Sequence, residues 1–220
     1  MKKIRLITVA VLVLMIIMTL TCCGKIQRDV VSAEAAIAYV AVLEDIDLDG
    51  RHAYAVLEDV NGDEKAELIL EVNSSFVDVY TYDDEAEEAI KLYGRTLGKL
   101  YEGWAYYSNE RNQVIFPSAS TGGESYYVVE FSGNNSKLVK SLRRINSDHS
   151  ESGVEEYLIN GKNVELQDYE AASEILTEGF TTVETEVETI LESLRTIAET
   201  YTTEPETTEP DVPETDTAVE

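Results

Sequence analysis

After residue 23 the chain has no cysteine and no methionine. No internal disulfide can staple its body, so stability has to come from the core, from ligands, or from both. Basic residues are scarce: 17 Lys and Arg stand against 43 Asp and Glu, for a formal charge of −26. A field of that sign disfavours nucleic acid and anionic lipid surfaces as partners. Histidine occurs only at His52 and His149, neither with a His or Cys at ligand spacing. Asp148 precedes His149, yet neighbouring side chains on a strand point to opposite faces. Ser125 lies outside any Gly-x-Ser-x-Gly elbow, and glycine-rich phosphate loops are missing. No apolar run reaches the ~20 residues that a bilayer-spanning helix needs. Carboxylates are so plentiful that spacing alone selects no acid/base pair. The expectation is a protein that is not an enzyme.

What is present begins with a leader. Lys2, Lys3 and Arg5 precede residues 6–18, which are apolar except for Thr8. These are the n-region and h-region of a signal peptide. The leader runs into Leu20-Thr21-Cys22-Cys23-Gly24-Lys25, a junction that resembles the lipobox of bacterial lipoproteins. In that register Leu20 sits three residues before the cut and Cys23 becomes the lipidated N-terminus. Cys22 is the rival, with its leucine one place late; an ordinary signal peptide is the plainer alternative. The organisation expected is a signal peptide over 1–22, a lipid anchor and tether over 23–31, one domain over 32–199, and a tail over 200–220. Without the three basic residues of the leader the formal charge becomes −29. The resemblance implies attachment to the cell membrane through lipid, on the extracytoplasmic face.

The domain changes period partway along. Ser32 is placed to cap a helix carrying Ala36, Ile37, Val40 and Leu43 near 3.6-residue spacing, ending between 45 and 50. From Ala53 the period is two. Strands are expected near 53–60, 67–73 and 76–82, then near 89–93, 100–107, 112–117, 125–132, 137–145 and 154–159. Turn signals separate them, among them Thr121-Gly122-Gly123, Gly133-Asn134-Asn135 and Asn160-Gly161. Short connections with no helices between them argue for an antiparallel meander over a parallel sheet. Residues 168–178 read as a helix ending at Gly179. A last helix follows, with Thr181 and Glu184 at capping-box spacing and one apolar stripe of Val183, Val187, Ile190, Leu191, Leu194 and Ile197. That stripe should dock on the domain's own sheet. The tail holds three of the four prolines and no basic residue, a composition expected to be disordered. The fold class is therefore α+β: an antiparallel β-meander flanked by an N-terminal helix and C-terminal helices, with a disordered acidic tail.

The clearest chemistry lies in Asp59-Val-Asn-Gly-Asp-Glu-Lys-Ala-Glu-Leu-Ile-Leu70, set between two apolar runs. Asp59, Asn61, Asp63 and Glu67 occupy loop positions 1, 3, 5 and 9, and the Lys65 carbonyl falls at position 7. Five oxygens in one turn, completed by water, suit Ca²⁺, which takes six to eight oxygen ligands. The stretch resembles the short calcium loops in the blades of FG-GAP propellers. More closely, it resembles a segment of uncharacterised Gram-positive, clostridial-type lipoproteins that carry one such loop between two strands. Residues 157–169, Tyr-Leu-Ile-Asn-Gly-Lys-Asn-Val-Glu-Leu-Gln-Asp-Tyr, resemble the strand-turn-helix element of the same group. The resemblance implies an extracytoplasmic location and a calcium loop, and implies no reaction. One departure stands out: such loops place Gly at position 6, where this chain has Glu64. A polar hairpin turn without metal is the competing reading.

Lesser candidates flank this loop. Asp45, Asp47 and Asp49 with Gly50 begin like an EF-hand loop, but Ala53 and Val56 fall where its later ligands belong. Trp104, Tyr106 and Tyr126 are candidates for a ligand-stacking platform, against core packing as the alternative. Lys137, Lys140, Arg143 and Arg144 are the one basic cluster, placed either to offset neighbouring acids or to receive an anionic cell-wall or extracellular polymer. The functional expectation is a lipid-anchored binding or structural lipoprotein with a calcium-stabilised loop. The alternative is an enzyme or accessory domain acting on cell-wall or extracellular glycans.

Overall fold

The computed structural model describes residues 31–48, 50–73, 75–97 and 104–202, with residues 201 and 202 described by backbone alone. The leader, Cys23 and nearly all of the expected tail lie outside the described residues, as do Asp49 and the first part of the 100–107 strand.

The N-terminal helix, α1 (Ala33–Glu44), starts where Ser32 accepts a hydrogen bond from the Ala35 N–H at 3.1 Å. Ala35, Ala36, Tyr39 and Leu43 form its buried face, as 3.6-residue spacing requires. The strands divide into two antiparallel sheets. Sheet 1 is a four-stranded meander in the order β1-β2-β3-β4: β1 (Ala53–Glu58), β2 (Glu67–Val72), β3 (Phe76–Asp83) and β4 (Glu88–Thr96). Sheet 2 continues with β5 (Tyr106–Ser108), β6 (Gln113–Ser120), β7 (Gly123–Ser132), β8 (Asn135–Ile145), β9 (Glu156–Ile159) and β10 (Lys162–Val164). Its order is β10-β9-β8-β7-β6-β5-β11, with the two-residue β11 (Thr181–Thr182) on the β5 edge.

Period-two alternation decides which layer each side chain joins. In β2, Leu68, Leu70 and Val72 pack under α1, while Ile69 faces the other way. There it meets Val77 and Val79 of β3 and Val114, Phe116, Val129 and Phe131 of sheet 2. Sheet 1 is thus covered on both sides, and all six residues of β2 are buried. A third cluster joins the outer face of sheet 2, through Ile115, Val128 and Leu142, to Tyr169 of α2 (Leu166–Glu174). The layers run helix, sheet, sheet, helix, an α+β arrangement.

The C-terminal segment departs from its expected start. Thr181 and Thr182 pair with Tyr107 and Tyr106 of β5, so Thr181 and Glu184 form no capping box. Val183 is drawn into the inter-sheet core, and the Thr185 carbonyl accepts from the Ala55 N–H at 2.8 Å. Burial between the sheets and strand pairing together outweigh a cap worth ~1 kcal/mol. Helix α3 begins only at Val187 and runs to Thr202. From there the stripe behaves as expected: Val187 and Leu194 are buried against α1 and sheet 1, with Ile190, Leu191 and Ile197 beside them.

Candidate functional site

The acidic turn joins β1 to β2 and is shaped by its own amides. Asp59 accepts from the Gly62 N–H at 2.7 Å through Oδ1 and from the Glu64 N–H at 3.0 Å through Oδ2. Asn61 Oδ1 accepts from the Asp63 N–H, and Asp63 Oδ1 from the Lys65 N–H, both at 2.9 Å. Short polar side chains that capture amides two or three residues on favour turns over strand pairing. Gly62 and Glu64 both take positive φ, +81° and 68°. At Gly62 this conformation favours glycine, and a Cβ there would come within 2.7 Å of Asn112 Nδ2, so that side chain would have to shift. Glu64 adopts the left-handed conformation in spite of its side chain.

Glu67 is different in kind. It has no solvent exposure and lies beneath the turn, where three donors converge on it. The Val60 N–H reaches Oε2 at 2.9 Å, while Asn61 Nδ2 at 2.8 Å and the Thr81 hydroxyl at 3.1 Å reach Oε1. Burial pushes its pKa up to about 7, and the negative charges of Asp63 and Asp59 act in the same direction. The donated bonds oppose that rise without cancelling it. Asn61 Nδ2 also donates to Asp63 Oδ2 at 3.1 Å, so this amide does for two carboxylates what a cation does. Lys65 is exposed and its ammonium pairs with Asp84.

The turn is wedged among three layers. Tyr39 of α1 donates its hydroxyl to the Ala66 carbonyl at 2.9 Å, and the Gly133 N–H of the β7–β8 turn reaches the Asn61 carbonyl at 3.4 Å. Chemically the set Asp59, Asn61, Asp63, Lys65 carbonyl and Glu67 consists of hard oxygen donors, the type Ca²⁺ takes. Geometrically the carboxylates are spread: no three Asp, Glu, His or Cys side chains converge as a metal-ligating group among the described residues. Asp59 and Asp63 lie towards the surface, and Glu67 lies under them.

The aromatic candidates do not share one surface. Trp104 lies edge-on to Tyr54 with ring centroids 4.4 Å apart. Tyr106 and Tyr126 instead pack on the far side of sheet 2, in the cluster under α2. A strand over 100–107 would put Trp104 and Tyr106 on one face, but β5 begins only at Tyr106, so Trp104 precedes the pleat. Two of the four basic residues are met by acids: Lys137 stands opposite Glu130, Arg144 opposite Glu124, and Arg144 Nε donates to Glu155 at 2.6 Å.

One charged residue escaped the sequence reading. Glu71 of β2 has no solvent exposure and faces the inter-sheet core, where Oε2 accepts from the Ala105 N–H at 2.6 Å. Its Oε1 is buried without a partner among the described residues. Burial pushes its pKa up to about 7, opposed by that one amide. The available signal was the run Glu67-Leu-Ile-Leu-Glu71, which puts two glutamates on one face of a strand that is apolar otherwise.

No protein-family model, no curated protein and no solved structure matches this chain.

Proposed function

We propose that the chain is a lipid-anchored, extracytoplasmic binding or structural protein, and that the turn of residues 59–67 takes up Ca²⁺ as a brace for the fold. The observation that carries the calcium reading is the turn itself: five oxygen-bearing groups in nine residues, three of them pre-shaped by the loop's own N–H groups. Asp59, Asn61, Asp63, Glu67 and the Lys65 carbonyl would hold the ion. Bound there, Ca²⁺ would supply positive charge to a crowded set of carboxylates. The same turn touches α1 through Ala66 and sheet 2 through Asn61, so fixing it would tie three layers together.

The test is thermal unfolding of the chain at fixed ionic strength, with Ca²⁺ and Mg²⁺ compared. At ~1 mM Ca²⁺ and a Kd of ~10⁻⁴ M, mass action contributes about 1.4 kcal/mol. For a domain of this size that raises Tm by roughly 3–6 °C. The Asp59→Asn/Asp63→Asn variant should lose the shift. Equal shifts with both ions, or a shift retained by the variant, would reject the site. Anchoring is read separately: Cys23→Ala should release the protein from membranes into the medium of a Gram-positive host, since stable attachment needs acyl chains. A variant that still fractionates with membranes rejects the anchor.

A further inference from the structure

Two arginines from different sheets come together between the layers. Arg95 of β4 pairs with Val77, on the face of sheet 1 that is turned towards sheet 2. Its guanidinium carbon lies 3.1 Å from the centroid of the Tyr127 ring of β7. Stacking occupies the face of a guanidinium and leaves the N–H groups around its rim to donate. Tyr127 stands opposite Ser141 of β8, and Arg143 follows two residues on, so both side chains leave the same face of sheet 2. Diagonal neighbours of this kind lie about 7–8 Å apart, within reach of a long side chain. Sheet 1 ends at β4, whereas sheet 2 runs on from β8 to β9 and β10. Arg95 is accordingly half-buried and Arg143 exposed.

The same alternation sorts the basic cluster of β8. Arg144 turns to the outer face, opposite Glu124 and paired with Glu155. Arg143 turns to the inner face, opposite Ser125 on one side and Leu158 on the other. Neither Arg95 nor Arg143 belongs to an ion pair among the described residues. In a chain with 43 acids and 17 bases, two guanidiniums set near each other without a carboxylate run against the background composition. The acids on these two faces are engaged elsewhere. Glu71 shares the cross-strand row of Arg95 but lies beyond Val77 and accepts from the Ala105 N–H. Glu156, two residues before Leu158, accepts from the Ser152 hydroxyl at 2.6 Å.

We infer that Arg95 and Arg143 together bind a phosphate group, free or as a monoester, with the Ser125 and Ser141 hydroxyls beside it. The donor set selects this anion. Two guanidiniums offer more N–H groups than the two oxygens of one carboxylate can use, while phosphate presents three or four oxygens in the geometry that arginine bonds in pairs. Two like charges repel across this distance, and a bound dianion relieves both. The Tyr127 ring holds one guanidinium in place beforehand, which lowers the entropy lost on binding. The net negative field of the chain works against extended polyanions, but its distant carboxylates are screened beyond about 10 Å at 0.1 M salt, and a single phosphate responds to the local pair. The inference deepens the binding role proposed above and does not depend on calcium.

Calorimetric titration of the full chain without Ca²⁺, at fixed ionic strength, with inorganic phosphate, glycerol 3-phosphate and acetate tests this directly. It reads neither calcium uptake nor anchoring, so its failure leaves those two tests standing. At least one of the two phosphates should bind saturably with a Kd of about 1 mM or tighter, and acetate about tenfold more weakly. Tighter binding of glycerol 3-phosphate than of inorganic phosphate identifies an ester as the ligand, and the reverse order identifies the free ion. Arg143→Gln, at an exposed position, should weaken phosphate binding about tenfold with Tm unchanged, and Arg95→Gln should weaken it by a similar factor. Arg144→Gln, one residue away on the opposite face, should bind as the parent does, which separates this site from general attraction to the basic cluster. Absence of saturable heat with both phosphates, acetate binding as tightly as phosphate, parental affinity in Arg143→Gln, or an equal loss in Arg144→Gln would overturn the assignment.

Discussion

Two carboxylates four residues apart on β2 share a face and meet different surroundings. Glu67 receives three donors, and Glu71 receives one and leaves Oε1 bare. A buried carboxylate with so little support disfavours its charged form, which is why Glu71 holds its proton up to about pH 7. The sign follows from linkage. A folded-state pKa above the unfolded value means that the folded chain binds the extra proton. Glu71 then contributes stability that is complete below about pH 4.5 and is lost as pH rises through about 7. A rise of this size corresponds to about 3 kcal/mol. Glu71→Gln keeps an acceptor for the Ala105 N–H and removes the charge. Its urea midpoint should exceed the parent's at pH 8, and the advantage should shrink towards pH 5. Parallel profiles of parent and variant would show that Glu71 is ionised throughout. Asn61 supports a second expectation. Asn61→Asp replaces the donor between Asp63 and Glu67 with another negative charge, so without calcium the chain should lose roughly 1–3 kcal/mol. The Ca²⁺-induced rise in Tm should grow in the same variant, because an added carboxylate raises calcium affinity. A smaller calcium shift would place Asn61 outside the coordination set.

At the level of elements, the acidic turn holds two adjacent solutions to one steric problem. Gly62 and Glu64 both sit at positive φ, a conformation that costs an L-residue roughly 1–2 kcal/mol. Glu64→Gly should therefore stabilise the chain by roughly 0.5–1 kcal/mol, the gain reduced by the entropy of the added glycine. Gly62→Ala should do the opposite and more strongly, by roughly 2 kcal/mol, because strained backbone is joined by a contact with Asn112 Nδ2. Chemical denaturation read at constant slope checks both, and equal effects would mean that the turn relaxes. Elements of this local kind were legible in the sequence. Ser32 capped its helix, Asn160-Gly161 made its hairpin turn with both residues at positive φ, and the alternation from Ala53 marked the early strands. Non-local choices were not legible. Thr181 and Thr182 look like the start of a helix until β5 is present to pair with them, and Glu71 looks like a solvent-facing strand residue until sheet 2 covers it. The acidic turn could be seen, since its donors are neighbours in the chain.

Over the whole molecule the dominant quantity is charge. A formal −29 outside the leader means that compaction brings like charges together, and the four ion pairs among the described residues cannot offset that total. Exposed pairs such as Arg195 with Glu44 contribute ~0–1 kcal/mol each and weaken with salt. Self-repulsion weakens with salt too, and here it has the larger sum. Raising NaCl from about 10 mM to about 0.5 M shortens the screening length from about 30 Å to about 4 Å. Tm should therefore rise with NaCl, against the direction expected of a chain held together by surface ion pairs. The rise should be nearly the same in the Asp59→Asn/Asp63→Asn variant, because screening is indifferent to where two charges of so many are removed. Calcium at constant ionic strength should discriminate between the two chains where NaCl does not. A Tm that falls with NaCl would mean that specific ion pairs outweigh the net field. A calcium response that only tracks ionic strength would reduce the acidic turn to part of that field.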